Sequence, residues 1–148
     1  MNKNLLLIIL LFSCLFIYGC DKKTNIDSPV YLSFVDIDAI SNKSILDIIN
    51  DDSLDSGVYQ IITQSNKYIY FYGDKIQYSD ISSKLEEKNL IITCSTNPNS
   101  TKNKKLYVIR EKNTTSTGGK SSFYDTLSLE INNKHDNFKN IYILNNDL

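Results

Sequence analysis

The 148-residue chain has no tryptophan, one histidine, one methionine, two prolines and five glycines. Each scarcity removes a class of chemistry. A Ser-His-Asp triad needs a histidine held by a carboxylate and facing an activated nucleophile. The single His135 lies in the turn-like stretch "NNKHDN", and no strand-turn-helix elbow presents a serine. A zinc centre needs about four ligands, with histidine and thiolate commonest, which one histidine and few cysteines do not supply. Glycine is too sparse for a phosphate loop. Gly119-Lys120-Ser121 matches only its tail, Thr114 stands where its first glycine belongs, and the following residues alternate as a strand rather than opening a helix. "DDSLDSG", Asp51 to Gly57, gathers three carboxylates, but Ser56 and Ile62 occupy the positions where a calcium loop requires glycine and glutamate. No cofactor or metal is expected. Basic excess is absent as well: the formal charge is −1, and the one basic cluster, Lys102, Lys104 and Lys105, borders an Asn-rich turn. That excludes the clustered positive surface that nucleic acid requires. It reads as a solvated hairpin end, with contact to anionic lipid headgroups as the alternative.

A run long enough to cross a bilayer is also missing. Leu5 to Tyr18 are almost unbroken in apolar character, 14 residues preceded by Lys3. As a helix this run reaches roughly 21 Å at ~1.5 Å per residue, short of the ~30 Å hydrocarbon core. The charges of Asp21, Lys22 and Lys23 forbid extension. The length suits the apolar region of a secretory signal, and Gly19 is the small residue expected at its cleavage site.

Ile17-Tyr18-Gly19-Cys20 then resembles the lipobox of bacterial lipoproteins: an aliphatic residue, a variable one, a small one and a cysteine. Tyr18 is larger than is usual at its position. The resemblance covers the first 20 residues. It implies cleavage between Gly19 and Cys20, with Cys20 carrying a diacylglycerol as the mature N-terminus. It also implies a location at the cell membrane, lipid-anchored on the extracytoplasmic face. Two acyl chains hold a protein on a bilayer where one is marginal, since each buried CH₂ contributes about 0.8 kcal/mol.

Of three cysteines, Cys14 falls in the leader and Cys20 takes the lipid, leaving Cys94 without a disulfide partner. Cys94 shares strand parity with Leu90 and Ile92, so it is expected to be a small buried hydrophobe. Loss of residues 1–19 removes Lys3 and no acid, leaving 15 basic and 17 acidic residues and a charge of −2.

Residues 20–28 read as the lipidated cysteine and a polar tether, and 29–148 as one β-rich domain, long enough to bury most of its unfolded surface. Period-two patterning dominates from Gly57 onward. "VYLSFVDID", "VYQIIT", "KYIYFYG", "KIQYSDIS", "NLIITCS", "KLYVIRE", "SFYDTLSLEI" and "FKNIYIL" give about eight strands. Short loops rich in Gly, Asn, Asp and Ser predict antiparallel hairpins between successive strands. Ile45, Ile48 and Ile49 at helical spacing, with Ser44-x-x-Asp47 resembling a capping box, predict one short helix near 44–51. The expected fold is mainly β, an antiparallel β-sandwich or partly open barrel. The alternative is an α+β layer in which that helix covers one sheet face.

Tyrosine is plentiful. "KYIYFYG" places Tyr68, Tyr70 and Tyr72 on one strand face and Ile69 and Phe71 on the other. Tyrosine suits half-exposed recognition surfaces, so the Tyr68/Tyr70/Tyr72 face is the candidate contact surface. The other reading of that row is the solvent-side face of a sheet. Together these features predict a lipid-anchored, non-enzymatic interaction module of the cell envelope, with an envelope protein or cell-wall partner and no nucleic acid. The alternative is an envelope hydrolase whose acid and base are carboxylates, Asp36 with Asp38 or the Asp51–Asp55 cluster.

Overall fold

Alternation of side chains along a strand sorts them onto two faces, and in this chain several strands are apolar on both. The computed structural model describes residues 28–112 and 122–145; Cys14, Gly19, Cys20 and Gly119-Lys120-Ser121 lie outside them. The described strands are β1 (Val30–Val35), β2 (Gly57–Ile62), β3 (Lys67–Gly73), β4 (Ile76–Glu86), β5 (Asn89–Pro98), β6 (Asn103–Glu111), β7 (Thr126–Ile131), β8 (Lys134–Asp136) and β9 (Ile141–Ile143). A 3-10 turn (Ile37–Ala39) and one α-helix, α1 (Lys43–Ile49), join β1 to β2. Two sheets form, in the orders β1-β6-β3-β2-β9 and β4-β5-β7-β8. The fold is mainly β and sandwich-like, with no closed barrel. Among the described residues no helix is long and apolar enough to cross a membrane.

Two cores occupy the two faces of the five-stranded sheet. On the inner face Val58, Ile69, Phe71 and Ile109 pack against Tyr78, Leu90, Ile92, Cys94 and Leu129 of the other sheet. Phe71 is the hub, with ring centroids 5.4 Å from Tyr78 and 5.8 Å from Tyr107. On the outer face Tyr59, Ile61, Tyr70, Tyr72 and Leu106 meet Ile45 and Ile49 of α1. The helix therefore covers one sheet face, as the α+β alternative supposed, on top of a two-sheet sandwich.

That helix starts one residue before the expected Ser44, and the capping box does not form. Asn42 is the N-cap instead, its side chain accepting from the Ile45 amide at 3.1 Å. Asp47 pairs with Lys43 at 2.9 Å rather than reaching back to Ser44. An extended Asn just ahead of the helix satisfies an orphan amide, so the start is drawn forward.

The expected succession of hairpins holds for β2–β3 and β4–β5. It fails elsewhere: β6 inserts between β1 and β3, while β5 pairs with β7, and β2 with β9, in parallel. These partners are far apart in sequence, and turn residues report only on local closure. β8 was expected to be a turn. It forms because Asn132 and Asn133 both take positive φ, 53° and 61°, closing a two-residue hairpin from Ile131 to Lys134. His135 thus sits on a short exposed strand opposite Glu130. β7 begins three residues later than its pattern suggested. Tyr124 lies in the irregular approach and joins Phe123 and Leu127 in the inner core, with the Lys67 ammonium 4.9 Å from its ring.

Cys94 is buried beside Leu90 and Ile92, as its parity required. Burial, with the nearby Asp136 carboxylate adding to it, pushes its thiol up to about 11. Burial also raises the hydroxyls of Tyr70 and Tyr78. A raised folded pKa means that this stability is whole below the unfolded thiol pKa, ~8.5, and is lost as pH climbs through about 11. We therefore expect Cys94 to resist a thiol reagent at pH 8 and to react at least ~100-fold faster once denatured. Labelling at the same rate in both states would contradict the inner core.

Candidate functional site

Three chain segments converge at one end of the five-stranded sheet because antiparallel register brings their ends together. β2 starts at Gly57 opposite Tyr72, and β3 ends at Gly73 opposite Asn103. The loop after α1, the corner after β3 and the residue before β6 therefore meet. They enclose a cleft of about 340 Å³ lined by Asp52, Leu54, Asp55, Ser56, Tyr72, Asp74 and Lys102.

Each wall is fastened by its own bonds. In the loop, Asp51 accepts from the Ser53 amide at 2.9 Å and the Ser53 hydroxyl at 2.6 Å. These two bonds hold the Asp51 carboxyl below its ordinary pKa. The buried Tyr59 hydroxyl donates to the Asp55 carbonyl at 2.6 Å, and the Asp74 amide donates to Ser56 Oγ at 2.9 Å. Across the cleft Lys102 Nζ meets Asp52 Oδ1 at 2.7 Å. That contact lowers the Asp52 pKa and raises that of Lys102. Gly73 is required at the corner: a β-carbon there would run into the carbonyl oxygen of Ile76, a backbone atom that cannot swing aside.

Charge is unbalanced in this cleft. Three carboxylates face one ammonium, and Lys102 is already committed to Asp52. Asp55 and Asp74 form no ion pair among the described residues. Tyr72, 2% exposed, lines the same cleft. Its neighbours Tyr59 and Tyr70 both spend their hydroxyls, Tyr70 on the Ile49 carbonyl at the end of α1, 3.1 Å away. The Tyr72 hydroxyl makes no hydrogen bond among the described residues and lies near enough to Lys102 to raise that ammonium's pKa.

The Tyr68/Tyr70/Tyr72 face is thus not an exposed contact surface. Tyr70 and Tyr72 are buried beneath α1 and Tyr68 is half-buried at the edge of the same core. The helix occupies the face that an uncovered sheet would have given to solvent. Only the end of the row, Tyr72, reaches a cleft. The carboxylates separate likewise. Asp36 is engaged as the cap of the 3-10 turn, accepting from the Asp38 amide at 3.1 Å, so the two do not face a common substrate position on a strand. The Asp51–Asp55 cluster does line the cleft, through Asp52 and Asp55. Lys102 of the basic cluster joins it, while Lys105 donates to the Tyr78 carbonyl at 2.6 Å. Asp74 and Ser56 had no role in the sequence reading. Only the register shows what the corner after β3 faces. Among the described residues no group of three His, Cys, Asp or Glu residues is placed to hold a metal ion.

The hydroxyl inventory gives a paired expectation. Tyr70→Phe removes the bond to the Ile49 carbonyl and should cost about 1–2 kcal/mol. Tyr72→Phe, equally buried, should change stability by less than ~0.5 kcal/mol. Gly73→Ala should cost about 1–3 kcal/mol through the backbone clash. Urea titration of the three variants measures all of this, and equal losses for the two tyrosines would refute the assignment of hydroxyl partners. No family model, no curated protein and no solved structure matches the chain.

Proposed function

We propose that this protein is a lipid-anchored lipoprotein of the bacterial cell envelope, tethered through Cys20 on the extracytoplasmic face, and that its domain is a non-enzymatic binding module. The observation that carries this reading is the Ile17-Tyr18-Gly19-Cys20 motif at the end of the apolar run of Leu5 to Tyr18, and the sheet sets where the tether enters the domain. The domain's first described residues, Ser28 and Pro29, sit beside the end of β6, where the Lys112 amide donates to the Pro29 carbonyl at 2.7 Å and Val30 faces Glu111. The cleft lies at the other end, beside the start of the same strand. β6 has nine residues, so the two ends are roughly 27 Å apart at about 3.4 Å per residue.

A chain held by lipid nine residues before Pro29 enters the domain at the sheet end opposite the cleft. Confinement to a surface raises its effective concentration near membrane-associated partners without any catalysis. The envelope hydrolase is the weaker reading: Asp36 is engaged as a cap, Asp51 in a turn and Asp52 with Lys102.

Intact mass of the protein from membranes tests the anchor. The expected result is a mature chain beginning at Cys20 with acyl mass on that residue, and Cys20→Ala should release the protein from the membrane fraction. A mature N-terminus elsewhere, with no acyl mass, overturns the anchor. Hydrolytic activity abolished by Asp55→Asn would overturn the non-enzymatic class.

A further inference from the structure

We infer that the free edge of β1 is a docking site for an extended, uncharged segment of a partner protein, which adds to the five-stranded sheet as a further strand. The inference deepens the binding-module reading and rests on it for its biological setting. Among the described residues β1 ends its sheet, paired to β6 alone. The Lys112 amide donates to the Pro29 carbonyl, and this bond sets the phase of the ladder. Bonded and unbonded pairs alternate along antiparallel strands. Tyr31, Ser33 and Val35 therefore bond to β6, while Val30, Leu32 and Phe34 turn their N–H and C=O groups away from it. Ser28 agrees with that phase. Its hydroxyl accepts from the Val30 amide at 3.3 Å and donates to the Val30 carbonyl at 2.6 Å. The cap reaches no further. The outward N–H and C=O groups of Leu32 and Phe34 have no partner among the described residues.

The other three sheet edges are guarded in ways that prevent strand addition. β8 and β9 have three residues each. β4 is irregular between Ser79 and Ser82, holds Asp80 at φ 50°, and carries the charges of Asp80, Lys84 and Glu86. β1 has six residues, "VYLSFV", with no charge and no proline among them. β4 approaches β1 across the sandwich but pairs only with β5. Phe34 is 63% exposed, its ring edge-on to Tyr107 at 5.7 Å, so the edge is open there and bordered by apolar surface.

These features select the occupant. Unpaired strand groups recognise the backbone of another strand, and the neighbouring side chains decide which sequence fits. Leu32 and Phe34 offer apolar contact to the residues opposite them and no counter-ion to a charged one. A second copy fits less well than a partner. Antiparallel pairing of two β1 strands sets the two tether ends at opposite ends of the joined sheet, roughly 20 Å apart at about 3.4 Å per residue, although lipid would hold both at one bilayer.

The test is a nuclear magnetic resonance titration of the full chain in detergent micelles with the peptide acetyl-Thr-Val-Thr-Val-Thr-amide. Saturable shifts centred on residues 31–35 are expected, with a dissociation constant on the order of 1 mM. The same peptide N-methylated at all five residues should not saturate, and one with lysine for both valines should bind at least ~5-fold more weakly. Phe34→Pro removes an outward N–H that β6 does not use, as edge strands tolerate, and should abolish binding with the fold intact. Phe34→Lys places a charge on the edge and should weaken binding at least ~10-fold, which carries the test if the proline variant unfolds. Shifts that never saturate, equal affinity for the N-methylated or the lysine peptide, or unchanged affinity in Phe34→Lys would overturn the site. A chain that sediments as a dimer without peptide, and as a monomer once Phe34→Lys is introduced, would give the edge to a second copy and overturn the partner. Mass analysis of the same preparation separates the two readings. Saturation without lipid on Cys20 overturns the anchor alone, and lipid on Cys20 without saturation overturns the docking edge alone.

Discussion

Strand β3 has to satisfy two hydrophobic cores at once, and the rest of the molecule is arranged around that demand. Its Ile69 and Phe71 are fully buried against the second sheet, and its Tyr70 and Tyr72 are buried under α1. Burying a large side chain contributes on the order of 1.5–3 kcal/mol, so exposing either face would forfeit several such contributions. Both covering layers follow from this. Five strands place β3 in the middle, between β6 and β2. The chain between β1 and β2 forms the helix that closes the outer face, and the 4-stranded sheet closes the inner one.

The use of tyrosine on the outer face has a chemical consequence. A leucine row would fill the space under α1 with nothing left to satisfy. Tyrosine brings a hydroxyl at each position, and each must find a partner or reach solvent. Tyr70 binds the C-terminal end of α1, which supplies one of the carbonyls that a helix leaves unpaired. Tyr59, on the adjacent strand, donates to the backbone of the loop between α1 and β2 and so fixes Asp55. Tyr72, last in the row, lines the cleft. The same packing that closes the outer core therefore builds the cleft wall and delivers an unused polar group to it.

Much of this was legible in the sequence, where the signal was local. Period-two alternation located all eight main strands, and the Leu90-Ile92-Cys94 parity located the buried thiol. What failed was whatever depends on two distant segments. Alternation says that Tyr70 and Ile69 face opposite ways, but not that a helix 20 residues upstream lies over one of them, so the tyrosines read as a surface row. Parallel pairing of β5 with β7 leaves no mark in a turn. In the cleft, Asp52 and Asp55 were visible as an acidic cluster, whereas Asp74, Ser56 and Lys102 became neighbours only through the β2–β3–β6 register. The Ile17–Cys20 stretch, by contrast, is contiguous, and the anchor proposed from it rests on sequence alone.

Chain polarity joins these elements: the first described residues lie at one end of the sheet and the charged cleft at the other. Because Cys94 is buried and the anchor cysteine carries lipid in this account, a spin label on one introduced cysteine is selective. Labels at Ser100, in the loop beside the cleft, and at Glu111, beside the tether, are both on exposed residues. Power-saturation measurements on the lipidated protein in vesicles compare their access to a water-soluble nickel reagent and to lipid-partitioned oxygen. The account predicts that Glu111 is the closer to lipid and Ser100 the more accessible from water. The reverse order would contradict it.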